Sequence, residues 1–401
     1  MSSRSVPPGI GLEVPVFGSA SALEAIKAGA RRLEVNHGGS YVAGGITPNH
    51  FEVRSVRGVV DTHYLEATTT DPIPIRVMIR PRGPPRSSAA PSAAQEQQQD
   101  FIYSDAEFAA MRSDINIFKN SRLVLPERGD GFVFGILEKK TARTTASTTS
   151  ATAVQVDIAR NTELVNLAKP LRCVFHRAFD DLIANTTDDD TKTIEDALAT
   201  VYMCGFDGIL TSGGRGNVSE LKNVPRLGRI VAGAITVAGA AVSLEGVGSS
   251  SSSNSKGSSS SSSSSLPTPP TRAMEIIIGG GVRSGYIDLL ANRVAIAATV
   301  AAPNWIPLLS SDEDMEMRSL KAWYGDGGGN SQVWFHSSCL ADDRRSFDGD
   351  EAKELVKGLQ KVFRQQTKVK PRERQLKVEE EDAEGEEPKE DTRRRSTRRL
   401  P

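Results

Sequence analysis

Aromatic residues make up only 5% of this 401-residue chain, and cysteine occurs three times. Cys173, Cys204 and Cys339 are widely spaced, form no Cys-x-x-Cys pair and leave an odd count, so neither a disulfide framework nor a structural zinc site is indicated. No uninterrupted apolar run reaches the roughly 18 residues of a membrane span. The opening Met-Ser-Ser-Arg-Ser-Val-Pro-Pro also lacks the hydrophobic stretch of a signal peptide. The expectation is a protein of the cytoplasm, or also the nucleus, with no membrane partner. A surplus of one charge sign is missing too, since 49 Lys and Arg face 50 Asp and Glu. Whole-chain electrostatics therefore leave no footprint for nucleic acid as the main ligand.

Apolar residues at 38% suffice for a large core. Four segments cannot contribute to it. Residues 84–99, 139–153, 247–271 and 367–401 are polar and low in complexity, with too little apolar surface to offset the entropy of ordering them. They read as three disordered insertions and a disordered tail around one domain over 10–366, with residues 1–9 a disordered N-terminus. The tail is polarised: Glu379 to Asp391 is strongly acidic, and Arg393 to Arg399 holds five arginines. It reads as a solvated end, with nuclear import or polyanion contact as the alternative.

Between the insertions, strands alternate with helices. Strand-like runs occur at Gly11–Val16, Arg31–Asn36, Ile73–Arg80, Gly131–Leu137, Arg172–Ala178, Gly208–Ser212, Met274–Ile278 and Gln332–Ser337. Ser104-Asp-Ala-Glu107 is a capping box opening a helix through Phe108, Met111, Ile115 and Phe118. Ile194, Ala197, Leu198, Val201 and Tyr202 make an apolar stripe at helical spacing, as do Ala352, Leu355, Val356, Leu359, Val362 and Phe363. Eight such repeats predict a TIM-type (β/α)8 barrel with low-complexity loop insertions. Residues 291–330 show no readable organisation.

In such a barrel the strand ends carry the chemistry, because the strand fixes a side chain and the loop exposes it. Arg172-Cys-Val-Phe-His-Arg-Ala-Phe-Asp180 places His176, Arg177 and Asp180 at one such end. Glu13 and Glu34 sit in identical Leu-Glu-Val contexts. With His176 and Asp180 they are candidates for acid/base catalysis, the alternative being an interior charge network that holds the barrel together. Arg80, Arg82, Arg177, Ser212, Gly213, Gly279, Gly280 and Gly281 are candidate ligand-binding residues, because guanidinium groups and glycine-rich turns late in the repeat suit a small anionic ligand. His176, His336 and Cys339 are the candidate metal ligands by donor type; Cys173, three residues from His176, points to the other face of its strand.

The motifs Leu12-Glu13-Val14, Arg32-Leu33-Glu34-Val35, Gly44-Gly45-Ile46-Thr47-Pro48, Val77-Met78-Ile79-Arg80-Pro81-Arg82-Gly83, Phe175-His176-Arg177-Ala178-Phe179-Asp180, Ile209-Leu210-Thr211-Ser212-Gly213 and Gly279-Gly280-Gly281-Val282 follow the order of the CutC copper homeostasis family, which the chain resembles over roughly residues 11–340. The resemblance implies a TIM-type barrel, a cytosolic location, homo-oligomerisation and a copper ion as partner and cofactor. The family's proposed copper ligands are cysteines at the first two strand ends. Pro15 and Asn36 stand there in this chain, and neither offers a soft donor for Cu(I). The copper expected here is therefore weakly bound. An enzyme acting by acid/base chemistry on a small anionic substrate, phosphorylated or not, at the C-terminal mouth of the barrel is the alternative function.

Overall fold

The computed structural model describes residues 10–66, 72–85, 99–140, 154–184, 191–220, 222–247, 274–301, 333–343 and 346–368. Apart from a few residues at their edges, the expected insertions and tail lie outside the described residues, as do residues 1–9. All eight sequence-predicted runs form strands: β1 (Gly11–Val16), β2 (Arg32–Val35), β3 (Ile75–Met78), β4 (Gly131–Phe134), β5 (Arg172–Phe175), β6 (Gly208–Thr211), β7 (Glu275–Ile278) and β8 (Val333–His336). Each pairs in parallel with the next, and β8 pairs with β1, so the sheet closes into a barrel. Register follows from this closure: Glu13 lies opposite Arg32 on one side and His336 on the other.

A helix follows every strand: α1 (Ser19–Ala28), α2 (His50–Glu66), α3 (Asp105–Asn120), α4 (Ile158–Ala168), α5 (Thr191–Met203), α6 (Asn223–Val247), α7 (Ile287–Ala301) and α8 (Gly349–Lys368). The chain is thus a (β/α)8 barrel. The capping box of α3 forms as the sequence indicates, Ser104 and Glu107 each taking a backbone N–H of the other. Ile194, Leu198, Val201 and Tyr202 of α5 are buried against the sheet, and so are Ala352, Leu355, Leu359 and Val362 of α8. The segment whose sequence showed no organisation begins inside α7; residues 302–332 are not described. Elements outside the sequence pattern include an antiparallel ribbon of Leu137–Lys139 with Val154–Val156 and a short helix, Ala178–Leu182, that takes Ala178 out of its expected strand run. No described helix is long and apolar enough to cross a membrane.

Two cores result from strand alternation. Outward residues such as Leu12, Val14, Leu33, Val35, Phe132 and Phe335 join the helices in the main core. Met78, Val133, Val174, Leu210, Ile277 and Trp334 form a separate apolar layer inside the barrel. Gly11 makes room for that layer: a Cβ there would lie 2.4 Å from the Trp334 ring.

Candidate functional site

The apolar layer divides the barrel interior into a floor and a mouth. At the floor, Glu275 accepts from Arg32 (3.0 Å) and Arg172 (2.5 Å), and Arg76 approaches it at 4.0 Å. Arg32 also ion-pairs with Glu13 and lies 3.9 Å over the Trp334 ring. Burial alone would raise the Glu275 pKa, but the three guanidinium groups overcome it and hold the carboxylate below its usual range. This is a structural charge network, and β1 connects it to the mouth.

Glu13 spans the two regions. One carboxylate oxygen meets Arg32, and the other meets Nδ1 of His336 at 2.8 Å. Its burial, which favours the neutral acid, is outweighed by the Arg32 charge and the His336 hydrogen bond, and its pKa falls to about 2. His336 responds in the opposite sense. Burial would lower it, yet the charges of Glu34 and Glu13 raise it above the usual imidazole value. Glu34 has no guanidinium against it. It accepts from Asn36 Nδ2 (3.0 Å), its Oε2 is buried without a partner, and burial joined by the Glu13 charge raises its pKa. One ligand atom from each of Glu13, Glu34 and His336 lies within 4.8 Å of the others. No other group of three or more such donors occurs among the described residues.

Glu34, Asn36, Arg80, His176, Arg177 and His336 line one cavity of about 1030 Å³ at the mouth. Arg80 is a clamp. Its guanidinium donates to the carbonyls of Ala43 (2.5 Å) and Gly45 (2.8 Å) and to both oxygens of Asp100 (3.0 and 2.9 Å), tying the Gly44-Gly45-Ile-Thr loop to the Arg-Pro-Arg segment. Gly45 has φ +83°, and a Cβ there would fall 2.1 Å from Asn36 Oδ1, so this loop tolerates only glycine at that position. Phe101, a non-glycine residue at φ +63°, sets its ring 4.6 Å from His176 and 5.0 Å from the Arg80 guanidinium. His176 accepts from the Ala178 N–H at Nδ1 (3.3 Å), while Nε2 is buried without a partner. Burial, and then the Arg80 charge, hold its pKa well below the usual value, so the ring is neutral.

Asp180 lines the same cavity, and its carboxylate is engaged by the protein itself. It takes hydrogen bonds from Thr211 Oγ1 (2.5 Å), Ser212 Oγ (2.9 Å) and the N–H groups of Ser212 (3.1 Å) and Gly214 (3.2 Å), and it pairs with Arg177 (2.9 Å). Gly213 N–H goes to Thr211 Oγ1 (3.0 Å). The amide turn that sequence reasoning offered to an anion is thus filled by the protein's own carboxylate. Gly279 donates to the Thr211 carbonyl, whereas Gly280 and Gly281 line the cavity. Arg177 lines it too and reaches Ser212 Oγ (2.7 Å).

Arg82 does not line the cavity; it brackets α3 through Glu107 (2.6 Å) and the Ile102 carbonyl (2.6 Å). Cys339 is not brought to His336. It is fully buried, its Sγ lies 3.6 Å from the Ser337 carbonyl, and burial pushes its thiol up to about 12. The three expected metal ligands therefore separate, with His336 in the carboxylate cluster, His176 elsewhere in the wall and Cys339 in the core. Asp100 and Phe101 are the functional-site residues that sequence reasoning passed over. Both stand at the edge of a low-complexity segment, where nothing in the sequence shows their partners.

The family model described as CutC family matches residues 10–251. A protein of Mus musculus named copper homeostasis protein cutC homolog is 32% identical over 250 residues, covering 60% of this chain and 71% of that protein. A CutC family protein of Proteus mirabilis (strain HI4320) is 30% identical over 237 residues, covering 59% of this chain and 72% of its own. Among solved structures, a copper homeostasis protein CutC from Streptococcus agalactiae aligns with a TM-score of 0.45 at 21% identity, over 71% of this chain and 94% of that one.

Proposed function

The chain belongs to the CutC family, and we propose that it serves copper homeostasis in the cytoplasm by holding its cargo as Cu(II) on Glu13, Glu34 and His336. The observation that carries this reading is the cluster of three buried donors within 4.8 Å, with Glu34 Oε2 left unpartnered. The name of the Mus musculus relative supports copper as the ion. Donor chemistry supports the divalent state. Two carboxylates and an imidazole are hard to borderline donors, and among first-row divalent ions such sets bind copper most strongly. Cu(I) prefers thiolates, and the three cysteines are buried, free and held as thiols by pKa values raised through burial. Free cysteines are also in keeping with a reducing compartment.

Glu13 engages Nδ1 of His336, which leaves Nε2 as the imidazole nitrogen for the ion. The ion must displace the proton that His336 holds above its usual range, so affinity should weaken as pH falls through that raised pKa. Calorimetric titration of the full chain with Cu(II) tests the reading. Glu34→Gln and His336→Gln should each cost at least as much as removing an outer-shell partner, roughly 10–100-fold. Replacing all three cysteines by serine should change nothing. Copper binding that survives both substitutions, or that requires the cysteines, overturns it.

The cavity itself favours a second reading. A volume of about 1030 Å³ suits a small organic molecule better than a bare ion. Glu34 and His336, both with pKa values raised, are neighbouring titratable groups that can give a proton to a ligand or take one from it. In that reading the chain is an enzyme acting on a small anionic substrate by acid/base chemistry. Native mass spectrometry of protein purified from cells should then release an organic molecule in stoichiometric amount.

A further inference from the structure

Two glycine turns rim the mouth after the neighbouring strands β6 and β7, and they are used differently. After β6 the N–H groups of Gly213 and Gly214 go to Thr211 Oγ1 and to Asp180, so that turn is filled from within the protein. After β7 the acceptors of the turn are engaged and its donors are not. The Gly280 carbonyl takes the Val218 N–H (3.0 Å), and the Gly281 carbonyl takes the Tyr286 hydroxyl. The N–H groups of Gly280 and Gly281 have no acceptor among the described residues. Both glycines line the cavity, Gly280 half-buried and Gly281 exposed, so the turn is open to solvent.

Unspent side-chain donors stand beside it. Arg177 sends Nε to Asp180 and Nη2 to Ser212 and Gly216, which leaves Nη1 without an acceptor next to Gly280; a Cβ on that glycine would lie 3.1 Å from it. This arginine is not sealed in, since its side chain is 38% exposed. Asn217 gives Oδ1 to Ser219 and holds Nδ2 against Gly281, again without an acceptor. Arg283 lines the same cavity, donates Nη1 to the Leu340 carbonyl (2.8 Å) and pairs with no carboxylate among the described residues. The acidic side chains of this wall are already matched, Asp181 by Arg215 (2.6 Å) and Glu220 by Lys222 (3.1 Å).

We propose that Gly280 and Gly281, with Arg177, Asn217 and Arg283, form a subsite for the phosphoryl group of a small anionic substrate. Successive backbone N–H groups in a turn make an anion-binding concavity, and guanidinium groups add directed donors that match phosphate oxygens. A carboxylate offers only two oxygens to such a set. A phosphoryl group offers three, and its charge of about −1.5 to −2 at pH 7 answers an arginine left without a counter-charge. The cavity of about 1030 Å³ leaves room for an organic part beyond it. The subsite rests on the second reading above, that the cavity takes a small anionic substrate, and it needs nothing from Glu13, Glu34 or His336.

The test is calorimetric titration of the full chain with phenyl phosphate, with inorganic phosphate and, as the carboxylate control, with benzoate. Phenyl phosphate should bind, and benzoate should bind about tenfold more weakly or not at all. Inorganic phosphate that equals phenyl phosphate would make the phosphoryl group alone the ligand, whereas tighter phenyl phosphate would point to an ester; either result supports the subsite. Arg283→Met keeps an extended stem and removes the guanidinium, so it should weaken phenyl phosphate about tenfold, the usual worth of one hydrogen bond to a charged group. If that variant does not fold, amide NMR of the wild type decides: the Gly280 and Gly281 N–H resonances should shift when phenyl phosphate is added. Phosphate binding that is indifferent to Arg283 or leaves both glycine resonances in place, or benzoate binding as tight as that of phenyl phosphate, overturns the subsite while sparing the reading that the cavity takes an anion. Absence of binding by all three probes overturns both.

Discussion

Glu275 at the floor and Glu34 at the mouth are the same side chain, both enclosed by the barrel, yet their protons are held in opposite directions. Burial penalises the two carboxylates alike. Around Glu275, Arg32, Arg76 and Arg172 supply more than enough positive charge, and the carboxylate stays ionised. Around Glu34 the neighbours are Asn36, His336 and the negative Glu13, and the neutral acid is favoured. The lesson is that depth does not distinguish architecture from chemistry inside this barrel; the balance of charge does. Glu275 is compensated at the floor, whereas the mouth retains groups whose protonation a ligand could change.

The comparison breaks most visibly at the floor. Glu275→Gln should strand Arg32, Arg76 and Arg172 without their common counter-charge, and loss of one partner from such a buried network costs about 3 to 5 kcal/mol. Urea unfolding of wild type and variant at neutral pH measures it. A loss below about 1 kcal/mol would mean the floor is as tolerant as the mouth, and the distinction would fail.

A slightly smaller effect is expected where floor and mouth meet. Glu13 has a folded-state pKa lowered from 4.5 to about 2, chiefly because Arg32 and His336 outweigh the cost of burying it. A depressed carboxylate contributes stability above its unfolded pKa and loses it as pH falls through the folded value. Between about pH 4.5 and pH 2, chelator-treated wild type should therefore lose about 3 kcal/mol of its advantage over Glu13→Gln. A stability difference that stays constant across that window would remove the charge-pair account.

Much of this architecture was legible in the sequence. Each barrel strand is bounded by turn residues and carries its own apolar alternation, so all eight runs could be found locally. The polar residues near strand ends were equally legible, and Glu34, Arg80, His176, Arg177 and His336 do share a cavity. Partnership was not. Glu13 and Glu34 occupy identical Leu-Glu-Val contexts and yet titrate in opposite senses, because register, not local sequence, sets Arg32 beside Glu13 alone. Nothing near Asp180 in sequence shows that the Thr211–Gly214 turn closes on its carboxylate. Donor type groups Cys339 with His336 and His176, but the loop turns its thiol into the core. The antiparallel ribbon went unseen because a low-complexity insert separates its strands.

The smallest expected effect sharpens the comparison most. Glu34→Gln keeps the shape and the acceptor that Asn36 uses, and removes a carboxylate that is not ion-paired with any guanidinium among the described residues. Its stability at neutral pH should differ from wild type by no more than about 1 kcal/mol, since His336, which loses the Glu34 charge, keeps Glu13 as its hydrogen-bonded counter-charge. The sign of the pH dependence is the sharper measurement. With a folded-state pKa raised by burial and by Glu13, the folded protein binds a proton more readily than the unfolded chain. Wild type is therefore handicapped at neutral pH, recovers relative to Glu34→Gln as pH falls through the raised value, and levels off below the unfolded value near 4.5. This is opposite to the trend for Glu13 across the same titration. Parallel trends for the two glutamates in urea unfolding, each measured against its own Gln variant without metal, would show that Glu34 belongs to the structural network. Opposed trends would leave it as the titrating carboxyl of the mouth.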